Sequence, residues 1–136
     1  LCVFLCGLGS AIGLYKTGSA SSAVLSGDGK KFGKVIVMTL LPATQGLYGF
    51  VFGIIASGSV TADMATSKGW AVFGATIVIA VMGLFSAIFQ GKAAVAGITA
   101  VGKNESISGK LMLFPAMIEF YAILAFVISI ILLSAI

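Results

Sequence analysis

"LMLFPAMIEFYAILAFVISIILLSAI", residues 111–136, is an apolar run that contains one charged side chain, Glu119. A helix needs about 20 apolar residues to cross a hydrocarbon core about 30 Å thick, and this run is long enough. A charge at the centre of such a helix costs at least roughly 2.5 kcal/mol, so it is usually retained for a function. The run therefore predicts a transmembrane helix that carries a functional carboxylate.

The rest of the chain has a similar composition. Its 136 residues are 60% hydrophobic and 9% charged, whereas about a quarter of a soluble domain is charged. Further uncharged runs cover residues 1–15, 35–62 and 69–91. The first is short, and a cleaved signal peptide is its alternative interpretation, although a charged n-region and a clear cleavage site are missing. We predict an all-α integral membrane protein with four transmembrane helices.

The charges indicate how the chain lies in the membrane. The net charge of +4 comes from eight lysines, with no arginine or histidine. Seven of the lysines lie in two segments, 16–34 and 92–110, whereas the middle connection has only Asp63 and Lys68. The positive-inside rule places both lysine-rich loops in the cytoplasm and both termini outside a cell membrane. Topology explains these lysines, so we expect no nucleic-acid partner.

The residues of common catalytic and metal sites are scarce. Cys2 and Cys6 are four residues apart on one face of the first helix, but no histidine or further cysteine accompanies them. We interpret both as small packing residues rather than a metal or redox pair. No nucleophile–base pair or metal-ligand cluster is visible, so we expect a non-catalytic protein.

An internal repeat organises the chain. "SAI" at residues 10–12 recurs at 86–88, and "LPATQGLYGFVFGII" from Leu41 aligns with "FPAMIEFYAILAFVI" from Phe114. Each repeat consists of a helix, a basic loop and a proline-containing helix. We predict two tandem helical hairpins of the same orientation, covering residues 1–62 and 69–136.

The two repeats differ at the carboxylate. In the alignment Pro42 matches Pro115 and Tyr48 matches Tyr121, but Glu119 matches Gly46. Only the second hairpin therefore keeps the acid.

Small residues follow one face of the third predicted helix, at Gly83, Ser86, Ala87, Gly91 and Ala94. Such faces let helix backbones approach closely in lipid. The pattern fits the inner wall of a ring and equally fits tight packing within one four-helix bundle, and the sequence leaves both open.

Polar side chains lie level with Glu119 in the predicted membrane. Glu119 is nine residues beyond Lys110, or about 13 Å at 1.5 Å per residue. Thr44 and Gln45 are ten and eleven residues beyond Lys34, about 15 Å deep on the same scale. One helical face contains Leu41, Thr44, Gln45 and Tyr48, and the third helix adds Gln90.

Two states of Glu119 are compatible with this depth: it is protonated, or it holds a small cation. The Thr44 hydroxyl, the Gln45 and Gln90 amide oxygens and a backbone carbonyl freed by Pro42 would surround one negative charge with oxygen atoms. Hard cations prefer oxygen ligands. The alternative for the threonine and the glutamines is interhelical hydrogen bonding.

The motifs "LPATQGLYGF", "FQGKAAVAGI" and "FPAMIEFYAIL" resemble the proteolipid (c or K) subunit of rotary V-type and A-type ATPases, most closely the bacterial members that carry sodium. The resemblance covers essentially the whole chain. It implies a Na⁺ site formed by the Leu41 carbonyl, Thr44, Gln45, Gln90 and Glu119, with a hydrogen bond from Tyr48 to the glutamate. Ala43 departs from the usual glycine of the family, which matters little because both are small.

The resemblance also implies the assembly. Identical subunits would form a rotor ring, turned by ATP hydrolysis on other subunits through a central-stalk subunit, in contact with membrane lipids. A stator membrane subunit would supply an arginine that displaces the ion, and the transported Na⁺ would be the only bound group. Three alternatives remain at this point: the same rotor carrying H⁺, a small four-helix proton-coupled transporter, and a structural or channel-like bundle.

Overall fold

The computed structural model describes residues 1–136, which form helices and turns without any strand. The helices are α1 (Cys2–Gly27), α2 (Phe32–Leu40), α3 (Thr44–Ser57), α4 (Thr66–Lys103), α5 (Ser108–Leu111) and α6 (Leu113–Ser134). Because α2 continues into α3 and α5 into α6, they form four helical rods. This confirms the predicted all-α fold of four helices.

Three helical segments are long and apolar enough to cross a membrane: Gly29–Ser57, Thr66–Lys103 and Glu105–Ser134. Helix α1 has 26 residues but is not among them; its second half contains Lys16 and many serines. The chain is therefore a multi-pass membrane protein, and the crossing of α1 stays a prediction.

Each proline lies at or shortly after an interruption of its rod. Pro42 lies in a 3-10 turn, Leu41–Ala43, between α2 and α3. Pro115 lies in the first turn of α6, where a missing N–H leaves no intrahelical bond unmade. In each repeat the proline comes shortly before the polar residues: Thr44 and Gln45 follow Pro42, and Glu119 follows Pro115.

Helices α1 and α4 form the centre of the bundle, where their backbones nearly touch. A Cβ added at Gly91 would lie 2.7 Å from the Gly13 Cα, and one added at Gly9 would lie 2.6 Å from the Leu84 carbonyl oxygen. The small-residue face of α4 is buried within the chain. Tight packing within the bundle accounts for that face without a ring.

Helix α3 packs against α1, α6 packs against α4, and α3 and α6 also meet each other. Cys2 and Cys6 are free and buried in this part of the core, and the Cys6 thiol donates to the Ile79 carbonyl at 3.3 Å. The thiols are thus packing residues, as the sequence indicates. The exact limits of the hairpins, 1–62 and 69–136, stay predictions, and α4 itself begins at Thr66.

Candidate functional site

Glu119 lies where α3, α4 and α6 meet, with its side chain partly buried. The Tyr48 hydroxyl of α3 donates to the Glu119 Oε1 at 2.7 Å. The Gln90 Nε2 of α4 donates to the other carboxylate oxygen at 3.3 Å. Hydrogen bonds to a charged group are stronger than neutral ones, so these two side chains hold the orientation of the carboxylate.

The two glutamines form a pair behind the carboxylate. The Gln45 Nε2 donates to the Gln90 Oε1 at 2.8 Å, and both side chains are fully buried. A buried amide without partners would cost roughly 1–3 kcal/mol. The pairing gives both buried amides a partner and links Gln45 to Glu119 through Gln90.

The turn at Pro42 contributes the remaining oxygens. The Thr44 Oγ1 donates to the Leu41 carbonyl at 3.0 Å and lies 3.4 Å from the Gln45 Oε1. The 3-10 geometry of Leu41–Ala43 brings the Leu41 carbonyl close to the side chain of residue 44. A backbone oxygen, a hydroxyl and an amide oxygen therefore cluster at the start of α3.

The structure thus brings together all six residues singled out from the sequence: Leu41, Thr44, Gln45, Tyr48, Gln90 and Glu119. The group has one carboxylate and four neutral oxygen atoms, from the Leu41 carbonyl, Thr44, Gln45 and Gln90, and no cluster of three His, Cys, Asp or Glu side chains occurs in the chain. A single negative charge is balanced by one proton or one monovalent cation. Calcium sites, by contrast, commonly include several carboxylates.

Ser86 is a site residue that the sequence pattern does not reveal. Its Oγ accepts from the Gln45 Nε2 at 3.3 Å and donates to the Ile118 carbonyl at 3.1 Å. By sequence, Ser86 belongs to the small-residue face of α4 and to the repeated "SAI" motif, and neither pattern assigns it to the site. Its position one helical turn before Gln90 is the signal that could have identified it.

A backbone oxygen of α6 also takes part. The Gln90 Nε2 donates to the Pro115 carbonyl at 3.1 Å as well as to Glu119. The Gln90 amide nitrogen is thereby held on the α6 side, and its oxygen is directed toward Gln45. Side-chain patterns alone could not reveal this contact, because a backbone acceptor leaves no mark in the sequence.

The amino-acid sequence matches a known protein family over most of its length. Residues 1–56 and 73–132 match the ATP synthase C-subunit family. The two matched segments include nearly all of α1 to α3 and most of α4 to α6, and together they contain every residue of the site.

Three curated proteins illustrate the similarity. The K subunit of the V-type sodium ATPase of Enterococcus hirae is 46% identical over 123 residues, which are 90% of this chain and 79% of that protein. The K subunit of the A-type ATP synthase of Methanocaldococcus jannaschii is 44% identical over 133 residues, 98% of this chain but 58% of the archaeal protein. Subunit c of the ATP synthase of Helicobacter hepaticus is 37% identical over 94 residues, which are 66% of this chain and 86% of that protein.

Proposed function

Because the chain belongs to the ATP synthase C-subunit family, whose members form rings of helical hairpins as non-catalytic parts of ATPase complexes, we propose that it is a rotor-ring subunit that carries Na⁺ on Glu119. The observation that carries the proposal is the chain of side-chain contacts that links Thr44, Gln45, Gln90 and Glu119 in one cluster. The name of the E. hirae relative, which belongs to a sodium ATPase, supports the choice of ion.

Each site residue has a distinct role in this proposal. Glu119 supplies the only charge, and the Leu41 carbonyl, Thr44, Gln45 and Gln90 supply neutral oxygens in place of the water around the ion. Tyr48 holds one carboxylate oxygen at 2.7 Å, which fixes the carboxylate so that its other oxygen can face the ion. Na⁺ is the cargo in this proposal, which includes no cofactor.

The charge balance explains how such a site could move through lipid. A Glu119–Na⁺ complex is neutral, whereas the bare carboxylate costs at least roughly 2.5 kcal/mol in hydrocarbon. We propose that a stator subunit supplies the arginine that pairs with the emptied carboxylate. Moving one charge against 100 mV requires about 2.3 kcal/mol, so the energy comes from ATP hydrolysis on other subunits through a central stalk.

Competition between Na⁺ and a carbodiimide for Glu119 tests this function. Carbodiimides react with the protonated carboxyl group, so bound Na⁺ should slow the labelling of Glu119 in membranes at neutral pH. Choline at equal concentration should not slow it. Equal labelling rates with and without Na⁺ would contradict the sodium assignment and leave the proton-carrying rotor.

A matched pair of threonine variants sharpens that experiment. Thr44→Val keeps the side-chain shape but removes the hydroxyl near the Gln45 oxygen, so more Na⁺ should be needed for the same protection. Thr99→Val is the control, because the Thr99 hydroxyl is exposed and bonds only to the Val95 carbonyl of its own helix. A Thr44→Val variant with wild-type protection would exclude Thr44 from the site.

A further inference from the structure

Helix α1 contacts the rod α2–α3 on both sides of the Pro42 turn through buried hydroxyl groups. The Thr17 Oγ1 donates to the Thr39 carbonyl at 2.7 Å, and the Ser10 Oγ accepts from the Gly46 backbone N–H at 2.8 Å. Thr17 is 0% exposed and Ser10 is 5% exposed. Neither hydroxyl belongs to the six-residue cluster around the carboxylate.

The backbone of α1 also approaches the same turn closely. A Cβ added at Gly13 would lie 2.6 Å from the Pro42 Cβ, and one added at Gly46 would lie 3.2 Å from the Ser10 Oγ. Ser10 and Thr17 are seven residues apart, about two helical turns, so both lie on the same side of α1. The Pro42 turn therefore packs directly against α1 between the two hydroxyls.

The hydrogen bonds within the turn explain why contacts from another helix matter there. Pro42 has no backbone N–H and cannot donate to the carbonyl four residues earlier. The Thr44 N–H donates to the Leu41 carbonyl, three residues back rather than four, and such 3-10 bonds have poorer geometry than α-helical ones. The contacts from α1 lie two residues before Leu41 and two residues after Thr44. They therefore hold both ends of the segment that carries these two oxygens.

The serine contact occurs in both halves of the internal repeat. Ser10 and Ser86 are equivalent in the two "SAI" motifs. Ser10 accepts from the Gly46 N–H, and Ser86 donates to the Ile118 carbonyl. Each serine thus bonds to the backbone of the proline-containing helix of its own hairpin, so this contact is a general feature of the hairpin.

The threonine contact, by contrast, occurs in the first hairpin only. At the offset of the "SAI" motifs, the counterpart of Thr17 is Ala93, which has no hydroxyl. The first hairpin is also the one whose proline turn brings a backbone oxygen, the Leu41 carbonyl, to the cluster. The Thr17 hydroxyl therefore accompanies the carbonyl that the site uses rather than the proline that both hairpins contain.

We propose that Thr17 is a positioning residue for the ion site, which fixes the Pro42 turn and thereby directs the Leu41 carbonyl toward the ion. Ser10 holds the other end of the same turn. Helix α1 supplies no ion ligand in this arrangement, yet it sets where one of the ligands lies. This inference rests on the proposed Na⁺ site.

Carbodiimide labelling of Glu119 in membranes tests the role of Thr17. Thr17→Val keeps the shape of the side chain but removes the hydroxyl. It should raise the Na⁺ concentration that halves labelling by about two- to ten-fold, the effect of one neutral hydrogen bond. The pH dependence of labelling without Na⁺ should not change, because Tyr48 and Gln90 still hold the carboxylate. Thr17→Ser, which keeps a hydroxyl, should bind Na⁺ like the wild type.

Ser21→Ala is the matched control. Ser21 is 5% exposed and lies one turn beyond Thr17, but it bonds to the Thr39 hydroxyl rather than to the Thr39 carbonyl. Its half-protecting Na⁺ concentration should equal that of the wild type. An equal rise in Thr17→Val and Ser21→Ala, or a shifted pH dependence in Thr17→Val, would mean that these contacts only stabilise the bundle, and would overturn the proposal.

Ser10→Ala gives a second measurement, which also decides the matter if Thr17→Val does not assemble. It removes the acceptor of the Gly46 N–H and should likewise raise the half-protecting Na⁺ concentration without changing the pH dependence. If Na⁺ protects the wild type and both variants equally, the positioning role is wrong and the Na⁺ site stands. If Na⁺ does not protect even the wild type, the Na⁺ site is wrong and this inference fails with it.

Discussion

The Glu119 carboxylate is oriented by one hydroxyl and one amide that come from two different helices. Tyr48 belongs to α3 and Gln90 to α4, so the carboxylate position depends on how these helices pack against α6. Tyr48 itself is fixed by its ring, which packs against Phe126 of α6. Its hydroxyl can therefore be removed without removing the contact between the helices.

Tyr48→Phe should weaken Na⁺ binding while leaving the fold intact. A hydrogen bond to a charged group contributes roughly 1.5–3 kcal/mol, which corresponds to a loss of affinity of about 10- to 150-fold. The Na⁺ concentration that halves carbodiimide labelling of Glu119 measures the effect. Tyr121→Phe is the control, because Tyr121 lies on the exposed face of α6. Equal half-protecting concentrations in the two variants would show that Tyr48 does not support the site.

Ser86→Ala should weaken Na⁺ binding less, by several-fold, since a neutral hydrogen bond contributes about 1 kcal/mol. The serine accepts from the Gln45 amide nitrogen and so fixes which end of that amide faces Thr44. The same half-protection assay measures the change. Ser129→Ala is a matched control, because the Ser129 hydroxyl is buried without a hydrogen-bond partner. Weaker Na⁺ binding in the Ser129 variant would indicate general loosening rather than loss of amide orientation.

Glu119 and its polar neighbours can be predicted from the sequence, but the hydrogen bonds that orient them cannot. Glu119 is visible as a charge in an apolar run, and Thr44 and Gln45 as polar residues at equal depth. The role of Ser86 cannot be predicted from the sequence, because a serine on a small-residue face can equally serve for helix packing. The direction of each amide depends on acceptors such as the Pro115 carbonyl, which only the folded backbone supplies.

Among the elements, α1 and α4 set the spacing on which the site depends. Gly13 and Gly91 let the two backbones touch, and α4 carries both Gln90 and Ser86. If α4 moved outward, the Gln90 amide would leave both Gln45 and Glu119. The glycine contact therefore stabilises the bundle and the site together.

Gly91→Ala should destabilise the folded subunit. The new Cβ would lie 2.7 Å from the Gly13 Cα, a backbone atom that can move only if the helices separate, and overpacking typically costs about 1–3 kcal/mol. Gly74→Ala in the same helix is the control. Its Cβ would meet nothing within 4 Å, and replacing a helical glycine by alanine contributes roughly 0.5–1 kcal/mol. Unfolding temperatures in detergent should therefore fall for Gly91→Ala only; equal values would mean that α1 and α4 adjust freely.

The prolines show how far element boundaries can be predicted. The repeat places Pro42 and Pro115 at equivalent points of two helices, but the two rods are interrupted at different positions relative to the proline. At Pro42 the interruption is a 3-10 turn within a continuous rod, whereas Pro115 follows the junction between α5 and α6. The same residue is thus found in two local structures, a difference that the repeat does not predict.

The two hairpins of the repeat share one intramembrane acid, because Gly46 stands in the first hairpin where Glu119 stands in the second. The repeat and the apolar runs are enough to predict a four-helix membrane protein, and family membership confirms the rotary-ATPase resemblance. A single sequence could not show which faces meet within the chain and which remain for a neighbour. That distinction needs the folded positions of Tyr48 and Tyr121, which are equivalent in the repeat but differ in exposure.

The two lysine-rich loops should lie on the cytoplasmic side of the membrane, and the connection between the hairpins should lie outside. Ser106 in the second basic loop and Ser59 in the connection are both exposed, so each can be replaced by cysteine for labelling. A membrane-impermeant maleimide applied to intact cells should label Ser59→Cys and leave Ser106→Cys unlabelled, and inverted vesicles should give the opposite result.

The unsubstituted chain measures the background of that experiment, because Cys2 and Cys6 are buried, at 4% and 0% exposure. Labelling of Ser106→Cys from outside intact cells, without labelling of Ser59→Cys, would mean that the lysines face outward, contrary to the positive-inside rule. Labelling of both sites from one side would mean that the number of crossings between them is even. That result would contradict a single transmembrane passage of α4. The equal depth of Gln90 and Glu119 in the membrane depends on that passage.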